Sequence, residues 1–420
     1  MRVLVITRAP WRNDNNTGNT LTAFFRDMKN VEFCNLYFRE QLPKNDVTVS
    51  NFAISEGQLI KNLVKKTPVG KEVVRQDTDS KNNEESIYQN AKRFKNTVLS
   101  FIREIIWMFG NWKSESFIQY LEDKKPDVIF MPVFNCFYPH KILQFVKKQT
   151  GAKVILFHAD DNYTLKQFSI SPLYWIYRFN LRKWVRRSVE VSDENYVISD
   201  IQKRDYEKAF KTECKILTKG KDFSGEAELK SEYNSPLQLV YTGNIGVNRW
   251  KSLEIIANAL EEINRDGIKA QLRIYTGSPM TSRMSKALNK GDSSIVMGFA
   301  ESEKIQKIQS DADILVHVEA FDMKNKLLVR QSFSTKLVDY MKIARPIIAV
   351  GPDDVASISH LINNKCAIVA ENKDELKTEI IKCLNDRSYM DNLVKNAYEC
   401  GKKYHDKTKI YKMLSESFNK

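Results

Sequence analysis

Three polar segments of this chain carry residue types that hold anions, and each follows a short apolar run. The first is Tyr241–Leu253, YTGNIGVNRWKSL. Gly243 and Gly246 free the backbone, and Arg249 stands just ahead of Ser252, where a helix is expected to start. Amide donors and a guanidinium gathered in this way can hold a diphosphate; the plainer alternative is an arginine in solvent. The second segment is Arg330–Pro352, RQSFSTKLVDYMKIARPIIAVGP. Leu337, Tyr340, Met341 and Ala344 recur at the spacing of a buried helical stripe. Ser334 or Thr335 can cap that helix, which leaves amides and Lys336 facing a negative ligand. Asp339, three residues on, lies on the same side, where a carboxylate can accept hydrogen bonds from a ribose diol. A capped helix with a surface Lys–Asp pair is the competing reading. The third segment is Thr7–Leu21, where Gly18 allows close backbone approach and Asn19 and Thr20 begin a helix whose amino end favours anions. It reads equally as a plain strand–helix loop, and its spacing is not the GxGxxG of dinucleotide-binding folds.

The elements that must position these segments are short apolar, β-branched runs separated by helical patterns. One series comprises Val3–Ile6, Val31–Phe38, Asp127–Val133, Val154–His158, Tyr196–Ser199 and Lys215–Thr218. The second comprises Leu237–Thr242, Leu272–Thr276, Ser294–Met297, Ile314–Val318, Pro346–Val350 and Ala367–Ala370. Such alternation predicts parallel strands with crossover helices. Two series predict two doubly wound, Rossmann-like α/β domains facing a central cleft, because ligands of open α/β sheets sit at the carboxyl ends of the strands. The expected domains are 1–222, with a polar insertion at about 65–93, and 237–400, joined by a linker at 223–236. A helical tail over 401–420 is expected to return to the first domain. Leu253, Ile256, Ala257, Leu260 and Ile263 define one further helix, with Ser252 as its cap and Gly267 near its stop.

The chain has 420 residues, with 66 Lys+Arg, 52 Asp+Glu and a net charge of +14. A hydrophobic share of 42% and a charged share of 28% exclude a disordered or fibrous chain. The mean hydropathy of −0.45 and the lack of a long apolar run argue against a membrane-spanning helix. The amino-terminal apolar run is short for a secretory signal, so a cytoplasmic location is expected. The six cysteines are scattered without metal-ligand spacing, so they read as small buried hydrophobes and no metal is expected.

Taken together, these segments resemble the GT-B-fold, group 1 glycosyltransferases of bacterial polysaccharide assembly. In YTGNIGVNR, Gly243, Asn244 and Arg249 resemble the loop that meets the donor's diphosphate. KGKDF at Lys219–Phe223 resembles the turn that ends the first domain. MGF at Met297–Phe299 resembles the strand-end glycine near the nucleobase, with Gly298 and Gly277 assigned to the donor side. SFSTKLVDYM resembles the helix whose acidic residue binds ribose. Gln331 and Asp339 stand where such families often carry two glutamates, so Gln331 keeps hydrogen bonding and loses charge. Glu319, in HVEAFD, is a substitute for sugar contact. In FHADDNY, His158 is a candidate to hydrogen-bond the sugar, and Asp160 or Asp161 to receive the acceptor's proton; His158 also fits a structural role, and Asp161 a helix cap. The resemblance implies transfer from a nucleoside-diphosphate sugar, used as substrate, with no cofactor and no metal. It further implies retention of anomeric configuration, with Arg249, Lys336 and helix-end amides stabilising the departing diphosphate.

Ser171–Ser188, SPLYWIYRFNLRKWVRRS, places Tyr174, Tyr177, Leu181, Trp184 and Val185 on one helical face and five basic residues on the other. Such a helix fits an anionic membrane surface or a lipid-linked acceptor, and it equally fits a domain helix packed on the first sheet. Leu99–Trp112 is a second aromatic-rich candidate. The expected acceptor is a lipid-linked oligosaccharide or surface polysaccharide precursor, which would place the protein peripherally on the inner membrane face. No nucleic-acid motif appears. Three other classes stand against this reading. They are a metal-dependent GT-A transferase using Asp160–Asp161 or Asp311-Ala-Asp313, a degenerate nucleotide-binding partner subunit, and a hydride-transferring Rossmann enzyme.

Overall fold

In the computed structural model, residues 1–74 and 97–419 are described. Residues 75–93 of the polar stretch lie outside that range. The chain divides into two units, Met1–Leu217 with Tyr411–Lys420, and Thr218–Ile410.

The first unit is built on eight strands: β1 (Arg2–Thr7), β2 (Glu32–Tyr37), β3 (Thr48–Ala53), β4 (Lys71–Glu72), β5 (Val128–Pro132), β6 (Lys153–His158), β7 (Glu194–Val197) and β8 (Cys214–Ile216). Their order is β4-β3-β2-β1-β5-β6-β7-β8, parallel throughout except for β4. Val3, Leu4, Val5 and Ile6 are all buried, as expected of a central strand covered on both faces. Strand β3 was not expected from the sequence. Thr48, Ser50 and Asn51 interrupt its apolar pattern, yet all three are buried. Thr48 donates to Asn51 Oδ1 at 3.1 Å, and Ser50 bonds the Tyr120 hydroxyl at 3.1 Å. The carboxyl-terminal residues close the far side of this sheet. Ser417 donates to Glu194 at 2.7 Å, Lys153 donates to the Ser417 carbonyl at 2.6 Å, and Phe418 lies 6.0 Å from Phe25.

The second unit holds β9 (Leu237–Thr242), β10 (Ala270–Tyr275), β11 (Ser294–Gly298), β12 (Ile314–Val318), β13 (Ile347–Val350) and β14 (Ile368–Ala370). The order is β11-β10-β9-β12-β13-β14, all parallel, so the winding direction reverses between β9 and β12. Open sheets of this kind leave a crevice at that reversal, where two successive connections part to opposite faces. The segment read as a linker, 223–236, lies within this unit. Lys230 and Asn234 fix it to the fully buried Asp313, at 2.5 and 3.0 Å, and Asp313 also accepts the Gln238 amide at 2.7 Å. The Asp311-Ala-Asp313 triplet thus anchors the lead-in to the sheet, which leaves Asp313 no room as a metal ligand.

Helix Arg249–Ile263 buries the expected stripe of Leu253, Ile256, Ala257, Leu260 and Ile263. It starts four residues earlier than a Ser252 cap would give, with Asn248 at φ 60° as its cap. Ser252 is therefore interior and fully buried, and its hydroxyl donates to the Glu319 carbonyl at 2.6 Å. Helix Lys336–Ile343 likewise buries Leu337, Tyr340 and Met341. Thr335 occupies its cap position without a side-chain cap bond, and the Ser334 amide instead donates to Ser357 at 2.9 Å.

Candidate active site

The reversal between β9 and β12 brings together residues that are far apart in sequence. Thr242 ends β9 and Gly243 follows it, while Glu319 follows β12. Helix Lys336–Ile343 delivers the Lys336 ammonium to this edge, where it donates to the Thr242 carbonyl at 2.9 Å. A Cβ on Gly243 would lie 2.0 Å from Lys336 Nζ, so the absent side chain is what admits the ammonium. The loop beyond it is tied down locally. Tyr241 donates to the Asn244 carbonyl at 2.7 Å, and the Ile245 amide donates to Ser278 at 3.2 Å.

Arg249, at the first turn of its helix, grips Glu319 with two parallel bonds, Nε to Oε2 at 3.0 Å and Nη2 to Oε1 at 3.1 Å. Glu319 is nearly fully buried, and burial pushes its carboxyl upward while Arg249 and then Lys336 pull it back. His317 Nε2 lies 3.6 Å from the same carboxylate. Burial and the neighbouring Arg249 and Lys336 charges hold His317 down at about 3, so it is neutral. Two cations thus face one buried carboxylate, an arrangement with surplus positive charge. The consequence shows at Lys336, drawn down to about 8 first by desolvation and then by repulsion from Arg249. A site that strains a lysine toward neutrality is relieved by an anion.

That relief sets a pH dependence. An anionic ligand raises the Lys336 value, so binding takes up a proton once the free site has lost it. Affinity for a nucleoside diphosphate is expected to fall as pH rises through about 8, approaching tenfold per pH unit above it. Calorimetric titration between pH 7.5 and 9.5 reads this; a flat profile excludes Lys336 from the anion site.

Asp339 stands apart from this pair. Lys219 donates to both of its oxygens at 3.0 Å, and Lys221 approaches at 3.1 Å. Neither partner was expected from the sequence, because the contact spans 120 residues. Gln331 is buried, Ser334 and Thr335 precede the helix, and Asn244 is exposed, accepting the Gly246 amide at 2.5 Å. Gly298 has φ 84°, and a Cβ on Gly277 would come 3.0 Å from the exposed Phe299 ring.

In the first unit, the candidates fall into structural settings. Gly18 sits in helix Asn16–Phe25, capped by Asn15, and a Cβ there would lie 2.0 Å from the Arg12 carbonyl oxygen. Its smallness serves the loop's own backbone. His158 is fully buried, 3.3 Å from Asn195 Oδ1 and edge-on to Tyr206, and burial draws it down to about 4. Asp161 accepts the amides of Tyr163 and Thr164 at 3.0 and 2.7 Å and pairs with buried Arg178 at 3.0 Å. Asp160 is exposed. Helix Pro172–Glu190 spends its basic residues accordingly. Arg178 also donates to the carbonyls of Asp161 and Thr164, Arg182 donates to the Tyr163 carbonyl at 2.9 Å, and Arg186 bonds the Tyr163 hydroxyl. Only Lys183, Arg186 and Arg187 of its five basic residues are exposed. Asp161→Ala strands the Arg178 charge, and a stability loss of about 3–5 kcal/mol is expected, with nucleotide affinity unchanged. Chemical denaturation alongside a binding titration separates the two.

Two Rossmann-like units built on mainly parallel sheets of this topology match the GT-B fold. Similar solved structures include Anabaena Alr3699/HepE in complex with UDP-glucose, 12% identical at a TM-score of 0.63, covering 100% of this chain and 99% of that one. Sucrose-phosphate synthase from Thermosynechococcus elongatus is 13% identical at a TM-score of 0.62, covering 100% and 98%. TarM of S. aureus is 11% identical at a TM-score of 0.62, covering 100% and 99%. No curated protein matches the sequence. Residues 236–386 match the family model for glycosyl transferases group 1.

Proposed function

We propose that the protein transfers a sugar from a nucleoside-diphosphate donor to a hydroxyl of a lipid-linked oligosaccharide or surface polysaccharide precursor, with retention of anomeric configuration. The observation that carries this reading is the Lys336 ammonium held against Gly243 beside the Arg249–Glu319 pair, inside the segment that matches the family. The difficult event in such a transfer is departure of the diphosphate, and fixed cations aimed at its growing charge supply the largest stabilisation. Arg249 and Lys336 take that role. Glu319 positions Arg249 and is assigned to the sugar. Asp339, with Lys219 and Lys221, is assigned to the ribose, and Gly277, Gly298, Asn244, Gln331, Ser334 and Thr335 line the donor side. A UDP-glucose complex of a protein of the same fold agrees with that donor class.

The first unit is assigned to the acceptor, and Asp160, its exposed carboxylate in FHADDNY, to the acceptor hydroxyl. His158 and Asp161 act there through the fold. A lipid-linked acceptor is supported by apolar residues left in solvent on two helices that meet at Phe101 and Tyr177. Ile102, Ile105, Met108 and Phe109 are exposed on one, Ile176 and Phe179 on the other, and Lys183 and Arg187 flank them. Apolar anchors beside cations suit an anionic bilayer surface, which implies peripheral attachment on the inner membrane face. No helix among the described residues is long and apolar enough to cross a membrane.

The test is a panel of UDP- and GDP-sugars with EDTA present, following release of the nucleoside diphosphate. Turnover of at least one donor in EDTA is expected. Activity lost in EDTA and restored by manganese overturns the metal-independent mechanism. Nucleotide binding without turnover of any donor points to a non-catalytic partner subunit.

A further inference from the structure

Behind the donor-side loop of the second unit lies a cluster of sulfur and imidazole groups that the transfer reaction does not use. Cys366 follows helix Ala356–Asn363, and Cys400 sits in the last turn of helix Arg387–Tyr404. The Cys366 thiol donates to the Leu361 carbonyl at 3.7 Å and is electrostatically linked to the neighbouring Cys400. On the other side of Cys400, His360 Nε2 lies 3.3 Å from its sulfur. That imidazole is held firmly. His405 Nε2 is 3.3 Å away and is itself fixed by Thr218 at 2.7 Å, and Phe333 packs on both rings at 5.1 and 5.3 Å.

Cys400 also lines a cavity of about 500 Å³ with Asn364, Asn396, Lys402, Lys403 and Lys409. Glu399 is its one carboxylate, so the wall is net positive. The volume suits a small peptide-sized ligand. Neighbouring Cys366 and then His360 hold the Cys400 thiol below its ordinary value, whereas Cys366 is pushed up. Burial pushes up the thiols of Cys34, Cys136, Cys214 and Cys383. All six cysteines are buried, and Cys400 is set apart by lining this cavity and by a thiol drawn toward the thiolate.

We propose that Cys400 is a thiol-modification site that reacts with the disulfide of a small, carboxylate-bearing thiol, and that Cys366 is its resolving partner. The Cys400 thiol passes its proton to His360, and the thiolate attacks one sulfur of the incoming disulfide. That disulfide bond breaks, a mixed disulfide forms on Cys400, and one small thiolate leaves. Cys366 then attacks the Cys400 sulfur, forming the Cys366–Cys400 bond and expelling the second small thiol, which takes the Cys366 proton. Two cysteine sulfurs are oxidised and the incoming disulfide is reduced to two thiols. The higher-lying Cys366 proton keeps it the second nucleophile. The inference stands independently of the proposed transfer reaction, because its readout is mass.

The full-length protein is treated with glutathione disulfide under native conditions and analysed by intact mass and peptide mapping. The wild type is expected to lose two hydrogens and carry no adduct. Cys366→Ser and, as a check on folding, Cys366→Ala are expected to accumulate one glutathione on Cys400. Cys400→Ser is expected to remain unmodified. Lys402→Gln with Lys403→Gln is expected to slow the reaction several-fold more for glutathione disulfide than for neutral 2-hydroxyethyl disulfide. Adducts spread over the other cysteines, or a Cys400→Ser protein that reacts as fast as wild type, overturn the proposal. Equal slowing with both reagents overturns its preference for anions.

Discussion

Lys336→Ala is expected to weaken nucleoside-diphosphate binding sharply while the protein melts as the wild type does. The ammonium is repelled by Arg249 and drawn down by burial, so the empty fold gains little from it. A diphosphate, by contrast, loses a charge-assisted donor in a desolvated setting, where truncation costs about 2–5 kcal/mol. A weakening of roughly 100-fold for UDP or GDP follows, since each tenfold is about 1.4 kcal/mol. Calorimetry on the folded variant checks it, and near-normal affinity removes Lys336 from the phosphate set. Lys336→Arg is not expected to rescue, because Gly243 leaves room for a slim ammonium and the planar fork is wider.

Arg249→Ala is expected to cost both stability and transfer, by separable routes. It removes the bidentate partner of a carboxylate that is 4% exposed, and an uncompensated buried charge destabilises by about 3–5 kcal/mol. Adding Glu319→Gln removes the stranded charge and is expected to restore most of the melting temperature. Transfer is not expected to return, since the guanidinium facing the leaving group is still missing, and a loss of about 10²–10³ in kcat is anticipated. Recovery of both stability and activity in the double variant would assign Arg249 a purely structural role. Arg249→Lys serves as the intermediate case. It keeps the charge and loses the paired geometry, so it is expected to fold and to turn over more slowly.

Much of the fold could be read from periodicity, because central parallel strands are buried on both faces and their apolar runs are nearly continuous. Val3–Ile6 and Ile314–Val318 are examples, as are the stripes of helices Arg249–Ile263 and Lys336–Ile343. Strand β3 escaped because Thr48, Ser50 and Asn51 satisfy their polar groups internally, which leaves no apolar signature. Ser252 shows a subtler limit. A serine before an apolar stripe reads as a cap, yet Asn248 begins the helix and frees Ser252 to hold the Glu319 backbone.

The candidate site was legible in its residue types more than in its pairings. Gly243, Arg249, Glu319 and Lys336 could each be named from local sequence. That Gly243 makes space for Lys336, and that Arg249 grips Glu319, depends on strands β9 and β12 lying side by side. Asp339 could not be matched to Lys219 and Lys221 at all, because nothing local encodes a contact across 120 residues. The basic helix Pro172–Glu190 misleads in the opposite direction. Its amphipathic pattern is real, but Arg178 and Arg182 turn inward to the 161–164 loop, which a helical wheel does not reveal.

A crystal structure of the protein soaked with UDP tests the central claim most directly. The β-phosphate is expected within about 3 Å of both Lys336 Nζ and an Arg249 guanidinium nitrogen, above Gly243. Density for the diphosphate at any other place, with Lys336 still bonded only to the Thr242 carbonyl, contradicts the account.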